Sequence, residues 1–399
     1  MKRSQVLWSS DTQLPTPVLK RLDEALLACG YSYTSGKTHN FYHYPARFSP
    51  EIARCVIGTF SRPGDLVIDP FMGGGTSVIE ALTTGRRVIG VDINSLALFV
   101  SLARTTPLSA RDEAAVRRWA EKAASYANGA DPVISDPSVR HLPWAIRSFV
   151  ATALRLAEEL PLRRQRNFSR CALLRLGQWA LDCRDFVAPR RSRLAKKLPQ
   201  LVEEMLGGLG EFVASCREAG VSRRTILRNR VLLHRSAVGL EEDEHLWIES
   251  ARPRLAFTSP PYPSVHVLYH RWQYRGRKET GAPYWIANIP DGYYASYYTG
   301  GSRTPTGEQH YFDMVTAAFR SVRSVIDPQG WVVQLIGFAD TGSQLPRYLE
   351  AMDTAGFQEI LPTEDGKRLG RRVPNRKWYA NLKGPVDASS ELLLFHKPR

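Results

Sequence analysis

Two stretches of this chain hold residues whose types and spacing could do chemistry. The first is Thr258-Ser259-Pro260-Pro261-Tyr262, which sets a hydroxyl, two rigid prolines and a flat aromatic ring side by side. It follows the apolar run Pro253–Phe257, which reads as the end of a buried strand, and the prolines then stop that strand. In an open α/β sheet the carboxyl edge of a strand is where ligands bind. A loop of this kind suits a planar base bearing an exocyclic amine: the Ser259 hydroxyl and stiffly held carbonyls meet the amine, and the Tyr262 face meets the ring. The plainer reading is a proline-rich turn with a packed tyrosine, and these residues alone do not choose between the two.

The second stretch tips the balance. Asp65–Asp69 has the pattern of a buried strand, and Pro70-Phe71-Met72-Gly73-Gly74-Gly75-Thr76 is a glycine-rich turn. Ser77–Gly85 follows with helical spacing, Val78, Ile79 and Leu82 on one face and Gly85 at the end. Arg87–Val91 is a second strand, with Asp92 at its tip. This strand, glycine loop, helix, strand and acid match the crevice of a nucleoside cofactor, the plainer reading being a structural αβ turn. The glycines admit close backbone approach, and the acid accepts from ribose hydroxyls. No Gly-Lys-Ser/Thr follows the glycines, so the turn is not a P-loop. Nor does it have the GxGxxG spacing, which favours an adenosyl ligand smaller than a dinucleotide.

The elements that must position these stretches alternate between strand and helix up to about residue 104. A helical run then takes over: Ala110–Asn128, Trp144–Leu160, Phe168–Phe186 and Leu194–Glu218. Its arginines cluster at Arg163–Arg166, Arg190–Lys197 and Arg223-Arg224. Alternation resumes with a strand expected over Thr225–Leu233. Next come Glu241–Glu244, the strand before Ser259, a helix over Tyr311–Val325, a core strand Gly330–Ile336, a helix Leu345–Ala355 and a final strand Glu391–Phe395. Between Tyr262 and Tyr311 aromatics interleave with Arg271, Arg275, Arg277 and Lys278. Such residues can stack on bases and hold phosphates, or they can form a local hydrophobic plug. The chain divides as 1–104, the N-terminal part of a catalytic domain; 105–223, an arginine-rich helical insertion; and 224–399, the C-terminal part of that domain.

Composition narrows the partner. The 399 residues carry a formal net charge of +15 and a pI of about 9.7, which favours a polyanion. Five scattered cysteines with no CxxC pair indicate neither a disulfide framework nor a structural zinc site, so a reducing cytoplasm is expected. His39 and His43 lack a local carboxylate or cysteine to make a metal site, and none is expected. No apolar run is long enough for a membrane span, and the first residues lack the apolar core of a signal peptide.

Asp69-Pro70-Phe71-Met-Gly73-Gly-Gly75-Thr76 with Asp92, followed much later by Ser259-Pro-Pro-Tyr262, resembles the S-adenosylmethionine-dependent amino-methyltransferases of DNA. His43-x-Pro45-Ala46-x-Phe48-x-Pro50 is similar to that family's additional cofactor motif. The resemblance covers residues 39–104 and 225–399. It implies a Rossmann-like α/β fold with a mostly parallel seven-stranded sheet whose last strand is antiparallel, and S-adenosylmethionine as cofactor. Asp69, Pro70, Phe71, Gly73, Gly75 and Thr76 would line the cofactor, Asp92 would hold its ribose, and Asn40, Phe41 and Phe48 would flank its methionine end. Ser259, Pro260, Pro261 and Tyr262 would be the catalytic tetrad. Serine at its first position resembles the N4-cytosine branch, whereas Asp or Asn there is typical of N6-adenine enzymes.

The resemblance further implies duplex DNA with a flipped target base as substrate. A place in restriction–modification or phage defence goes with it, together with partner restriction or defence proteins. Apart from the resemblance, the arginine clusters of the insertion and the aromatic-basic stretch suggest that Arg190, Arg191, Arg271, Arg275, Arg277 and Lys278 would touch the DNA. One departure stands out. The family usually carries an acid after the third strand for the adenine amine, but here the stretch reads His234-Arg235-Ser236. Either Glu241–Glu244 substitutes or backbone holds the adenine. An RNA amino-methyltransferase shares the same two motifs and stays open, as does N6-adenine methylation. A non-catalytic DNA-binding subunit would need a ruined cofactor site, and Gly73, Gly75, Asp92 and the tetrad are all present.

Overall fold

The computed structural model describes residues 14–27, 36–44, 49–126, 139–182, 188–248, 251–263, 266–267, 272–274, 278–290, 298–299, 304–363, 365–374 and 388–399. Helix α1 (Thr16–Leu27) and a 3-10 turn (Lys37–Asn40) lead into α2 (Pro50–Phe60). Pro50 sits in the first turn of α2, where its missing N–H costs nothing, and Ser49 caps it by accepting from the Glu51 N–H at 3.1 Å. Then follow β1 (Leu66–Asp69), α3 (Thr76–Thr83), β2 (Arg87–Asp92) and α4 (Ser95–Arg104). Each residue of β1 is buried: Leu66 and Ile68 enter one core, Val67 the other. A strand covered on both faces reads as a continuous apolar run, as this one does.

The helical run comprises α5 (Ala110–Ser125), α6 (Trp144–Glu158), α7 (Arg163–Leu181), α8 (Arg191–Glu218) and the short α9 (Arg223–Arg228). It shares its hydrophobic core with the sheet-facing side chains of α2, α3 and α4, and α7 is buried almost all round. The strand expected over Thr225–Leu233 divides into α9 and β3 (Arg230–His234). The β-branched pair Thr225-Ile226 suggested extended backbone. Here Ser222 caps a helical turn by accepting from the Thr225 N–H at 3.2 Å, and Ile226 is buried in it.

Beyond these lie α10 (Glu244–Ile248), β4 (Leu255–Thr258), β5 (His266–Val267), β6 (Trp272–Tyr274), β7 (Lys278–Thr280), α11 (Ala282–Ala287) and β8 (Tyr298–Thr299). The chain then passes through α12 (Pro305–Val325), β9 (Trp331–Phe338), α13 (Thr341–Thr354), β10 (Phe357–Glu359), β11 (Leu369–Pro374) and β12 (Ala388–Pro398). The main sheet runs β10-β12-β9-β4-β1-β2-β3. Its pairs are parallel from β9 through to β3, and β12 lies antiparallel to both β9 and β10. Counted in chain order, the sheet reads third, second, first, fourth, fifth, seventh, sixth, the Rossmann-like arrangement expected.

An eighth strand, β11, was not expected. Three-residue β10 covers only one end of β12, and β11 pairs along the rest, Leu369–Pro374 against Leu393–Ala388. It closes backbone groups that would otherwise form an open edge. Helices α12 and α13 cover one face of the sheet, and α2, α3 and α4 cover the other. Strand order reverses between β1 and β4, and the crevice at their carboxyl ends is where both chemical stretches emerge. Among the described residues, no helix is long and apolar enough to cross a membrane.

Candidate active site

Asp69, at the end of β1, ties the two stretches together. It is fully buried, and its carboxylate accepts from Thr258 Oγ1 (2.6 Å), from the Phe71 N–H (3.1 Å) and from Ser77 Oγ. One side chain thus holds the glycine turn, the first turn of α3 and the residue before Ser259. Burial pushes its carboxyl up to about 6 against the hydrogen bonds that favour the ionised form.

The glycine turn needs its glycines. Gly73 and Gly75 have φ of +49° and +78°, in the left-handed region. A Cβ on Gly75 would lie 2.5 Å from Ser101 Oγ, and one on Gly74 would lie 2.7 Å from the Cβ of Tyr44. Asp92 closes the turn, accepting from the Gly73 N–H (2.9 Å) and the Asn94 N–H (2.8 Å). Burial pushes its carboxyl, too, up to about 6. Two backbone donors leave lone pairs on this half-buried carboxylate for the hydroxyls of a sugar. Close-approach glycines beside such an acid suit a nucleoside, so the residues present fit an adenosyl cofactor. Thr76, at the start of α3, is buried, and Phe71 is half-buried, its ring 6.3 Å from that of Phe319.

Loop 37–44 is fastened to this turn by residues that spacing did not point to. The fully buried Arg104 guanidinium donates to the carbonyls of Gly74, His39 (3.0 Å) and Tyr42. Tyr44 lies over Gly73 and Gly74, and its hydroxyl accepts from Asn94 Nδ2 at 3.1 Å. Glu80 of α3, fully buried, accepts from His39 (2.8 Å), Arg54 (2.8 Å) and Lys37 (3.1 Å). Burial opposes its ionisation, but these three donors prevail and hold its carboxyl down at about 2. Lys37 has a φ of +59°, its N–H donates to Glu211 of α8 (2.6 Å), and Gly208 of α8 packs against its carbonyl.

His39 and His43 go to separate partners. His43 takes Gln178 on its backbone N–H and carbonyl (2.9 and 2.8 Å), and its Nδ1 accepts from Arg175 (3.1 Å). Among the described residues, no group of His, Cys, Asp or Glu is arranged to hold a metal ion. Asn40 is exposed at the end of the 3-10 turn. Phe41 is fully buried, edge-on to Phe168 at 5.7 Å, and braces the loop from its core side. Phe48 lies outside the described residues. In the acidic stretch after β3, Asp243 is engaged by Arg235 (2.7 Å) and His245 (3.0 Å).

Beyond β4, Pro260 is buried, while Ser259, Pro261 and Tyr262 are half-buried. The Pro261 carbonyl accepts from Tyr311 Oη of α12 at 2.8 Å, which holds the turn. The Tyr262 ring rests on Gly337 of β9, where a Cβ would come within 2.6 Å of it. Tyr262 Oη donates to Glu391 Oε1 of β12 at 3.0 Å, and Ser259 Oγ reaches Tyr262 Oη at a long 3.5 Å. Arg371 of β11 holds the other oxygen of Glu391, from Nε at 2.9 Å and Nη2 at 2.8 Å. No local pattern marks Glu391, Arg371 or Arg104; only their partners, far away in the chain, reveal them.

In the aromatic stretch, Trp272 and Tyr284 take the plug reading. Both are buried, Trp272 donating to Tyr42 Oη at 2.9 Å and Tyr284 to Asn94 Oδ1 at 3.3 Å. Arg271, Arg275 and Arg277 lie outside the described residues, and Lys278 opens β7. Arg190 is exposed just before α8. Arg191 lies over the Trp144 ring (5.4 Å to its centroid) and donates to the Tyr126 carbonyl at 2.9 Å. The next arginine, Arg193, lies over Trp179 at 5.5 Å, one residue from the Gln178 that grips His43. The basic start of α8 therefore stands beside the loop that leads to the glycine turn.

The strand order and the glycine cradle at its reversal define a Rossmann-like methyltransferase fold. Residues 17–99 match the DNA methylase family model. That match does not separate the N4 and N6 branches of the family. It is 34% identical over 109 residues to type II methyltransferase M.MvaI of Kocuria varians, covering 26% of this chain and 24% of that one. It is 43% identical over 54 residues to a tRNA (guanine(10)-N2)-dimethyltransferase of Methanothermobacter thermautotrophicus, covering 13% and 16%. DNA adenine methyltransferase YhdJ of Escherichia coli is 34% identical over 64 residues, covering 16% and 22%. The chain thus spans less than a quarter of the length of each of these relatives.

Proposed function

We propose that this chain transfers a methyl group from S-adenosylmethionine to the N4 amine of cytosine in DNA. The observation that carries the reading is Asp69, which holds Ser77 beside the glycine turn and Thr258 beside Ser259. A cofactor in the cradle and a base at the tetrad would be neighbours. Phe71, Gly73, Gly75, Thr76 and Asp92 would hold the cofactor, with Asp69 and Pro70 shaping the turn. Asn40 and Phe48 would stand at its methionine end, with Phe41 behind them. S-adenosylmethionine supplies, when bound, an electrophilic sulfonium methyl.

The chain's own residues prepare the amine. An exocyclic nitrogen is a poor nucleophile because its lone pair is delocalised into the ring. Ser259 Oγ and the Pro260 carbonyl accept from its two hydrogens and favour tetrahedral geometry, which frees the lone pair. Pro261 stiffens the turn, and Tyr262 offers a face to a base flipped out of the duplex. Arg190, Arg191, Arg271, Arg275, Arg277 and Lys278 would hold phosphates. The arginine-rich helical segment, residues 105–223, would contribute to target recognition. The type II name of M.MvaI supports a place in restriction–modification or phage defence, with partner restriction or defence proteins in the cytoplasm.

Serine at the first tetrad position favours cytosine. Adenine N6 is the second reading, supported by the adenine enzyme among the relatives, and an RNA base is the third, supported by the tRNA enzyme. The test is incubation with labelled S-adenosylmethionine and duplex DNA, single-stranded DNA or RNA, then nucleoside digestion and mass spectrometry. N4-methylcytosine is expected. N6-methyladenine alone moves the chain to the other branch, label in RNA alone moves it to the RNA reading, and no transfer to any of the three overturns the proposal.

A further inference from the structure

We infer that Glu391, on the last strand of the sheet, is a positioning residue that makes Ser259 a hydrogen-bond acceptor by way of Tyr262. The inference rests on the reading of Ser259 as the group that meets the target amine. A serine hydroxyl has one proton to give and two lone pairs, so on its own it can either accept from an amine or donate to a ring nitrogen. Which of these it does is decided by what else it bonds.

The chain of contacts decides it. Glu391 is ion-paired with Arg371, which donates twice to Oε2, and the remaining oxygen, Oε1, has only lone pairs to offer. Tyr262 Oη, 3.0 Å away, must therefore be the donor of that bond. Its single proton is then committed, and towards Ser259 its oxygen can only accept. Ser259 Oγ, 3.5 Å from it, turns its own proton that way and keeps its lone pairs for a third partner. A third partner bearing hydrogens, such as an exocyclic amine, is welcomed; a bare ring nitrogen is not.

The surroundings keep the direction from reversing. Glu391 and Gly337 are paired across β12 and β9, and the ring of Tyr262 rests on that glycine, so both contacts of the tyrosine come from one rung of the ladder. Arg371 also donates to the Leu26 carbonyl of α1 at 3.2 Å, which anchors the guanidinium from a third element. Side-chain burial is high for both members of the pair, with 15% of Arg371 and 13% of Glu391 exposed, so water competes poorly for the carboxylate.

The experiment is a double-mutant cycle on Glu391→Gln and Tyr262→Phe, with turnover, cofactor affinity by calorimetry and DNA affinity measured for each. Glu391→Gln should lower kcat roughly 10- to 100-fold, the worth of one charge-assisted hydrogen bond, with both affinities within about twofold of the wild type. The double variant should fall no further than Tyr262→Phe alone, because without the hydroxyl there is nothing for Glu391 to orient. Should Glu391→Gln fail to fold, Glu391→Asp keeps the charge, withdraws it by one methylene and is expected to show the same pattern. An active wild type with unchanged kcat in the Glu391 variant, or with losses that multiply in the double variant, overturns the inference alone. A wild type that methylates no nucleic acid overturns the functional reading, and this inference with it.

Discussion

At the scale of single residues, the site is built on carboxylates asked to do different things. Glu80 is held ionised by three cationic or imidazole donors and serves as an anchor for the loop before the cradle. Asp69 and Asp92 are both pushed up to about 6 by burial, but Asp69 faces protein donors only, whereas Asp92 lines the cradle. A sugar hydroxyl donates best to an ionised carboxylate. Protonation of Asp92 on passing below pH about 6 should therefore weaken cofactor binding. Calorimetry with S-adenosylmethionine is expected to show level affinity above pH 7 and a loss of roughly tenfold by pH 5, about one unit below the pKa. Asp92→Asn should bind weakly and without that dependence. A wild-type affinity that does not change from pH 8 to pH 5 would remove Asp92 from the ligand.

At the scale of elements, α8 is the member that joins the helical run to the cradle, and two adjacent glycines in it have opposite meanings. A Cβ on Gly207 would meet nothing within 4 Å, so Gly207→Ala should stabilise the protein by about 0.5–1 kcal/mol through lower backbone entropy in the unfolded chain. A Cβ on Gly208 would lie 2.1 Å from the Lys37 carbonyl, a backbone atom that cannot swing aside. Gly208→Ala should cost about 1–3 kcal/mol, as overpacking does. Urea midpoints of the two variants moving in the same direction would show that the contact with the 37–40 turn is not rigid. These elements also mark what was legible in the sequence. β1, α3 and β2 could be read because apolar period and turn chemistry are local, and the tetrad could be read because two prolines punctuate it. The link of Asp69 to Thr258 spans 189 residues and that of Tyr262 to Glu391 spans 129, so no window of sequence contains either. The strand expected at Thr225 failed for the opposite reason: a local β preference yielded to a serine cap and a buried isoleucine.

At the scale of the whole molecule, the net charge of +15 and the basic start of α8 beside loop 37–44 suit a polyanion. DNA affinity should fall steeply with salt, since each phosphate neutralised releases counterions. Arg190→Glu is the cleaner probe, because Arg191 already spends its guanidinium on Trp144 and the Tyr126 carbonyl. It should lower the slope of log Kd against log salt by roughly 1, the share of one phosphate contact. An unchanged slope would assign Arg190 to an ordinary solvated helix face. The last strand adds a consequence in time. A ribosome that has delivered everything up to residue 387 has delivered the glycine cradle, the tetrad and the whole basic helical run. It has not yet delivered Glu391, or the eleven residues of β12 that join β9 to β10 and β11. An unfinished chain can thus display its charged surface before the tyrosine of the tetrad is fastened. On the proposed reading, modification of a base waits until β12 has entered the sheet.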